Sequence, residues 1–194
     1  MTSFDPSTAL CVVDVQNDFA DPAGSLYVAE GETVVAFANE RIRDALEAGA
    51  SVVYSQDWHP PDTPHFAKDG GIWPVHCVRD GWGAELHPAL DVRGPVVRKG
   101  TGGEDGYSAF TMADPQTGDR SATELDALLR EHEIERLVIV GLATDYCVRA
   151  TALDAVANGY AATVLSGGVR AVDLEPGDGE RALDEIRKAG VAVR

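Results

Sequence analysis

Three groups of residues in this chain have types and spacings suited to chemistry. The first is Asp14, Lys99 and Cys147. Cys147 stands in Gly141-Leu142-Ala143-Thr144-Asp145-Tyr146-Cys147-Val148-Arg149, after the apolar run Leu137-Val138-Ile139-Val140 and before apolar residues at 148, 152, 155 and 156. The run reads as a strand buried on both faces and the spacing after it as a helix. A helix start offers unpaired N–H groups and partial positive charge, which lower a thiol's pKa and suit an oxyanion. A thiol nucleophile also needs a base for its proton and a cation to hold the charges. Asp14, which interrupts the run Ala9 to Val15, could be the base, and Lys99, at the end of Pro95-Val96-Val97-Arg98-Lys99-Gly100, the cation. The plainer alternative is a small buried cysteine at a turn and a structural salt bridge at Asp14, since an unpaired buried carboxylate is costly.

The second group is Asp57, His59, His65 and His76. Asp57 and His59 are two apart at a strand end, so both side chains point to one face. One carboxylate and three imidazoles suit zinc first, with iron or manganese as alternatives. The competing reading is a chance cluster of loop histidines. The third group is Phe19, Trp73 and Tyr107, aromatic residues at loop positions beside the other two groups. They suit the walls of a slot for a flat ring, although packing in the core is the commoner fate of such side chains.

The elements that must position these residues follow from the hydrophobic pattern. Strands are expected at 9–15, 51–55, 95–100, 137–140, 161–165 and 191–193. Between them the pattern predicts helices at 31–48, after Ser121-Ala122-Thr123-Glu124 (a capping box), after Cys147, and at 180–189. Such alternation implies an α/β fold: one doubly wound domain over residues 1–194, with a mostly parallel six-stranded sheet of order 3-2-1-4-5-6 and helices on both faces. In that order the first and fourth strands are neighbours, so Asp14 and Cys147 meet at the switch point. Residues 58–94 show no period but hold three tryptophans and four of the five histidines. A long loop of that composition is expected to be ordered and to build a site.

Lys+Arg number 16 and Asp+Glu 32, a formal net charge of -16. That argues against nucleic acid and anionic membranes as partners. There is no signal-peptide pattern and no apolar span of membrane length. Three cysteines without paired spacing fit a reducing cytoplasm. A homo-oligomer is compatible with all of this.

Val13-Asp14-Val15-Gln16-Asn17-Asp18-Phe19, Asp57-Trp58-His59 with His65-Phe66, Trp73-Pro74-Val75-His76-Cys77, Lys99-Gly100 and the Cys147 segment, taken in order, resemble nicotinamidases and pyrazinamidases of the cysteine hydrolase (isochorismatase-like) superfamily. The resemblance covers nearly the whole chain. It implies a Cys147-Asp14-Lys99 triad, an oxyanion hole from the N–H groups of Ala143 and Cys147, and a cis peptide between Leu142 and Ala143. It also implies a metal that holds the pyridine nitrogen of nicotinamide, and hydrolysis of that amide to nicotinate and ammonia through a thioester, a step of NAD salvage. Pyrazinamide is then a second expected substrate. The rival readings are an amidase for a ureido or carbamoyl compound, a thiol redox sensor built on Cys147, and a binding module without turnover.

Overall fold

The computed structural model describes residues 4–194. Its centre is a sheet of six strands, all paired in parallel: β1 (Thr8–Val13), β2 (Ser51–Asp57), β3 (Val96–Lys99), β6 (Arg136–Leu142), β7 (Ala161–Arg170) and β8 (Ala192–Val193), in the spatial order β3-β2-β1-β6-β7-β8. Counted along the chain within this sheet, that is the expected 3-2-1-4-5-6. The remaining strands, β4 (Thr111–Ala113) and β5 (Arg120–Ala122), form a separate antiparallel hairpin.

The central strands read as uninterrupted apolar runs because both faces are covered. On β1, Ala9, Cys11 and Val13 face a core shared with α3 (Leu125–Glu131), α4 (Arg149–Ala157) and α5 (Asp178–Lys188). Leu10 and Val12 face the opposite core, shared with α2 (Gly31–Glu47) and with Cys77, Ala84 and Leu90. The long loop from 58 to 94 is thus half of a layer. It follows no helical or strand period because its apolar residues drop onto the sheet from turns, two of them short 3-10 turns at Ala67–Asp69 and Trp82–Ala84. A four-residue helix, α1 (Asn17–Ala20), follows β1 directly.

Several details differ from the sequence reading. The capping box does not form: Ser121 lies in β5, and α3 begins at Leu125, whose N–H reaches Thr123 Oγ1 at 3.2 Å. The hairpin itself has only three residues per strand, partly or fully exposed, too short to show an alternating pattern. β7 runs on to Arg170 through Ser166-Gly167-Gly168 across a register shift against β6; glycines that would normally end a strand here make room for the Phe37 ring. Leu46, in the last turn of α2, is 44% exposed. Among the described residues no helix is long and apolar enough to cross a membrane.

Candidate active site and metal centre

The carboxyl ends of β1, β2, β3 and β6 open onto one crevice, where parallel sheets place their sites. Asp14 is the residue after β1 and takes a left-handed backbone (φ 48°) that turns the chain toward α1. Lys99 is the last residue of β3. After β6 the chain passes through a cis peptide at Leu142–Ala143, then a single π-helical turn, Thr144–Val148, that carries Cys147 into α4. Gly141 (φ 128°) is needed for this approach, because a Cβ there would overlap the Val13 backbone of β1.

Asp14, Lys99 and Cys147 come together, all buried. Lys99 Nζ lies 2.7 Å from Asp14 Oδ2 and 3.7 Å from Cys147 Sγ, and it donates to Asp57 Oδ1 and to the carbonyl oxygen of Gly106. Ser55 Oγ donates to Asp14 Oδ1 at 2.7 Å. Oδ2, by contrast, receives no well-directed hydrogen bond among the described residues, so it retains a lone pair. The ligand-type atoms of Asp14, Asp57 and Cys147 lie within 4.8 Å of one another.

Burial pushes the Asp14 carboxyl up to about 6, with Lys99 opposing and Asp57 reinforcing. Burial would lower Lys99, but Asp14 and Asp57 outweigh it and hold the ammonium well above its ordinary range. The Cys147 thiol departs from the sequence expectation of a lowered pKa. Burial raises it well above the ordinary value, and Lys99 offsets this only in part against Asp14 and Asp57. Cys147 is therefore held as a thiol beside the Asp14 carboxyl group, not as a standing thiolate. The Ala143 N–H makes no hydrogen bond among the described residues, and Cys147 lies in the first turn after the strand, where backbone donors lack helical partners.

His59, His65 and His76 also converge, with ring nitrogens within 4.8 Å of one another. His65 Nδ1 lies 2.5 Å from Asp105 Oδ1, and His76 Nδ1 lies 2.7 Å from the carbonyl oxygen of Pro74. Both partners only accept, so both rings carry their proton on Nδ1 and turn a lone pair on Nε2 inward. His59 is fully buried, yet among the described residues neither of its ring nitrogens has a hydrogen-bond partner. An orphaned pair of this kind is expensive unless something else binds it. Burial holds His76 down at about 4, although Asp57 opposes, so that ring is neutral and able to ligate. Asp57 Oδ2 lies 3.8 Å from His59 Nε2. Three imidazoles and one carboxylate fit a divalent ion. Gly100 (φ 71°) closes against the His59 ring, which any side chain would overlap.

Phe19, Trp73 and Tyr107 wall a cleft that is also lined by Ala143, Cys147, Asp57, His65 and His76. Trp73 Nε1 donates to Tyr107 Oη at 2.8 Å. Tyr146 completes the wall, with its ring 4.7 Å from Trp73 and 5.8 Å from Tyr107. Sequence reasoning missed Tyr146 as a wall, although it lies beside the nucleophile. It also missed Gln16, which sits fully buried and pairs with both backbone groups of Asp57: Nε2 donates to the carbonyl oxygen at 2.8 Å and Oε1 accepts the N–H at 2.8 Å. A polar residue next to the apolar β1 run was the available signal. Asp105 carried none beyond its place in a glycine-rich, acidic stretch.

An isochorismatase domain model matches residues 8–194. The chain is 40% identical to the nicotinamidase of Escherichia coli, over 97% of this chain and 94% of that one. Among solved structures it is similar to a pyrazinamidase of Pyrococcus horikoshii in complex with zinc (39% identity, TM-score 0.87, 97% of this chain and 99% of that one). It is also similar to PnC1 of L. infantum in complex with nicotinate (34% identity, TM-score 0.88, 100% of this chain and 95% of that one). By these matches the chain belongs to the isochorismatase domain family, in its nicotinamidase/pyrazinamidase branch.

Proposed function

We propose that this chain is a metal-dependent cysteine amidohydrolase that converts nicotinamide to nicotinate and ammonia in NAD salvage, and that it also accepts pyrazinamide. The observation that carries this reading is that Cys147, His65 and His76 line one aromatic-walled cleft. In this reading a pyridine ring lies in that cleft with its carboxamide toward the thiol and its ring nitrogen toward the histidines.

Asp14 Oδ2 takes the thiol proton, and the Cys147 sulfur forms a bond to the amide carbon. The carbonyl oxygen gains the negative charge beside the N–H groups of Ala143 and Cys147, each worth ~3–4 kcal/mol where such a donor has been removed elsewhere. Asp14 returns its proton to the amide nitrogen, the C–N bond breaks and ammonia leaves. Water, deprotonated by the same carboxylate, then opens the thioester to nicotinate and the free thiol. Lys99 stays protonated throughout and offsets the charges of Asp14, Asp57 and the transient thiolate. Asp57, His59, His65 and His76 would hold one divalent ion, zinc first, which supplies a Lewis-acidic anchor for the ring nitrogen.

In this reading the whole chain acts as one domain, in the cytoplasm, where three free cysteines persist. Its excess of acid over base makes small molecules, not nucleic acid or anionic membranes, its partners. The deciding test is incubation of the purified protein with nicotinamide, following nicotinate by chromatography with and without a chelator. Nicotinate formed by untreated but not by chelated protein supports the reading; no product under either condition would sink it.

A further inference from the structure

The rings of His65 and His76 are oriented by different means. His76 uses the carbonyl of Pro74, two residues back on its own turn. His65 uses the Asp105 carboxylate, 40 residues further along the chain. From these contacts, and on the reading of His59, His65, His76 and Asp57 as a metal site, we infer that Asp105 is the positioning residue of that site. It fixes the tautomer and aim of His65 and thereby sets how tightly the ion is held.

Three observations converge on this role. The first is the contact itself: Asp105 Oδ1 to His65 Nδ1 is 2.5 Å, with the His65 side chain 4% and the Asp105 side chain 26% exposed. A carboxylate accepting from Nδ1 makes the ring a stronger donor at Nε2 and holds its plane. The second is that Asp105 is itself anchored. Its N–H donates to the Ala113 carbonyl at 2.7 Å and its carbonyl accepts from the Ala113 N–H at 2.9 Å, which ties it to the β4/β5 hairpin. The third is a bridge between the two loops. Thr63 Oγ1 donates to the Gly103 carbonyl at 2.7 Å and accepts the His65 N–H at 3.2 Å, so the backbone of His65 and the Asp105 loop are held in register. The hairpin, which contributes no ligand, thus acts as the support for one.

The test uses full-length protein stripped by a chelator and titrated with zinc against a chromophoric competitor. Asp105→Asn keeps the shape but weakens acceptance, and is expected to weaken zinc affinity about 10–100-fold, the usual effect of losing such an outer partner. Asp105→Glu should recover to within a few-fold of wild type, and Glu104→Gln should match wild type. With zinc saturating, the Asn variant should turn over nicotinamide with a raised KM and nearly unchanged kcat. A measurement on unmutated protein checks the same point: with ¹⁵N-labelled histidine, zinc should shift Nε2 of His65 while Nδ1 keeps its proton. Wild-type zinc affinity in Asp105→Asn, or zinc arriving at Nδ1, overturns the inference while leaving the metal site standing. Failure of the wild type to bind zinc overturns both.

Discussion

Asp57 touches Lys99 and His59 at once: one carboxylate oxygen accepts from the Lys99 ammonium and the other lies 3.8 Å from His59 Nε2. The acid that would ligate the metal is therefore also a counter-ion of the lysine beside the nucleophile. Burial opposes its charge, yet Lys99 and His59 outweigh burial and keep its pKa well below the usual carboxylate range. Asp57→Asn should damage two properties together, lowering metal content and also kcat at saturating metal. His76→Ala should lose metal and raise KM for nicotinamide while Cys147 still reacts with iodoacetamide. Elemental analysis with alkylation kinetics separates the two patterns, and a His76→Ala protein that retains full metal would refute the ligand set.

Cys147→Ala should lower kcat by about 10⁴-fold or more, as removal of a covalent nucleophile does elsewhere. Metal content and the thermal midpoint should hardly change, because the side chain is small and its hydrogen bond from Lys99 is long. Substantial residual hydrolysis would show that the thiol does not form the intermediate.

The pH profile should report Asp14. Its carboxyl is raised by burial to about 6, and it must be ionised to take the thiol proton. Activity, measured as kcat/KM, should therefore fall as pH drops through about 6 and plateau above it. Asp14→Asn should lose this limb together with about 10²–10⁴-fold of rate. An unchanged limb in the Asn variant would assign the titration to another group.

Much of this site was legible in the residues. Asp14 and Lys99 could be placed because a charge at the end of an apolar strand must find a partner, and neighbouring parallel strands bring their ends together. The direction of the Cys147 shift was not legible. A helix start argues for a low pKa, but burial beside two carboxylates reverses it, and only the fold supplies those neighbours. Asp105, Gln16 and the β4/β5 hairpin were missed for a related reason. Their meaning rests on contacts across 40, 41 and 7 to 11 residues, which no local period encodes.

Lys99→Ala should destabilise the fold as well as the chemistry. Lys99 is fully buried, and without it Asp14 and Asp57 would face each other without a counter-ion. Breaking a buried pair from one side costs about 3–5 kcal/mol, visible as a lower urea midpoint. Lys99→Met at pH 5, where Asp14 is largely protonated, should show a smaller loss than at pH 8. Equal losses at both pH values would contradict the charge argument.

Benzamide has the shape of nicotinamide without the ring nitrogen, so it should be a much poorer substrate than nicotinamide. Equal rates on the two, together with absence of metal, would favour the broader amidase reading.

The loop from 58 to 94 carries three histidines of the metal set and also lays Cys77, Ala84 and Leu90 over one face of the sheet. Unfolding that face must therefore scatter the ligands, and a bound ion must leave before the core can open. On the proposed reading zinc acts as a thermodynamic weight on the folded state, of size RT ln(1 + [Zn]/Kd). The thermal midpoint of this protein should rise with free zinc even when no substrate is present, so that its resistance to unfolding becomes a gauge of the metal supply around it.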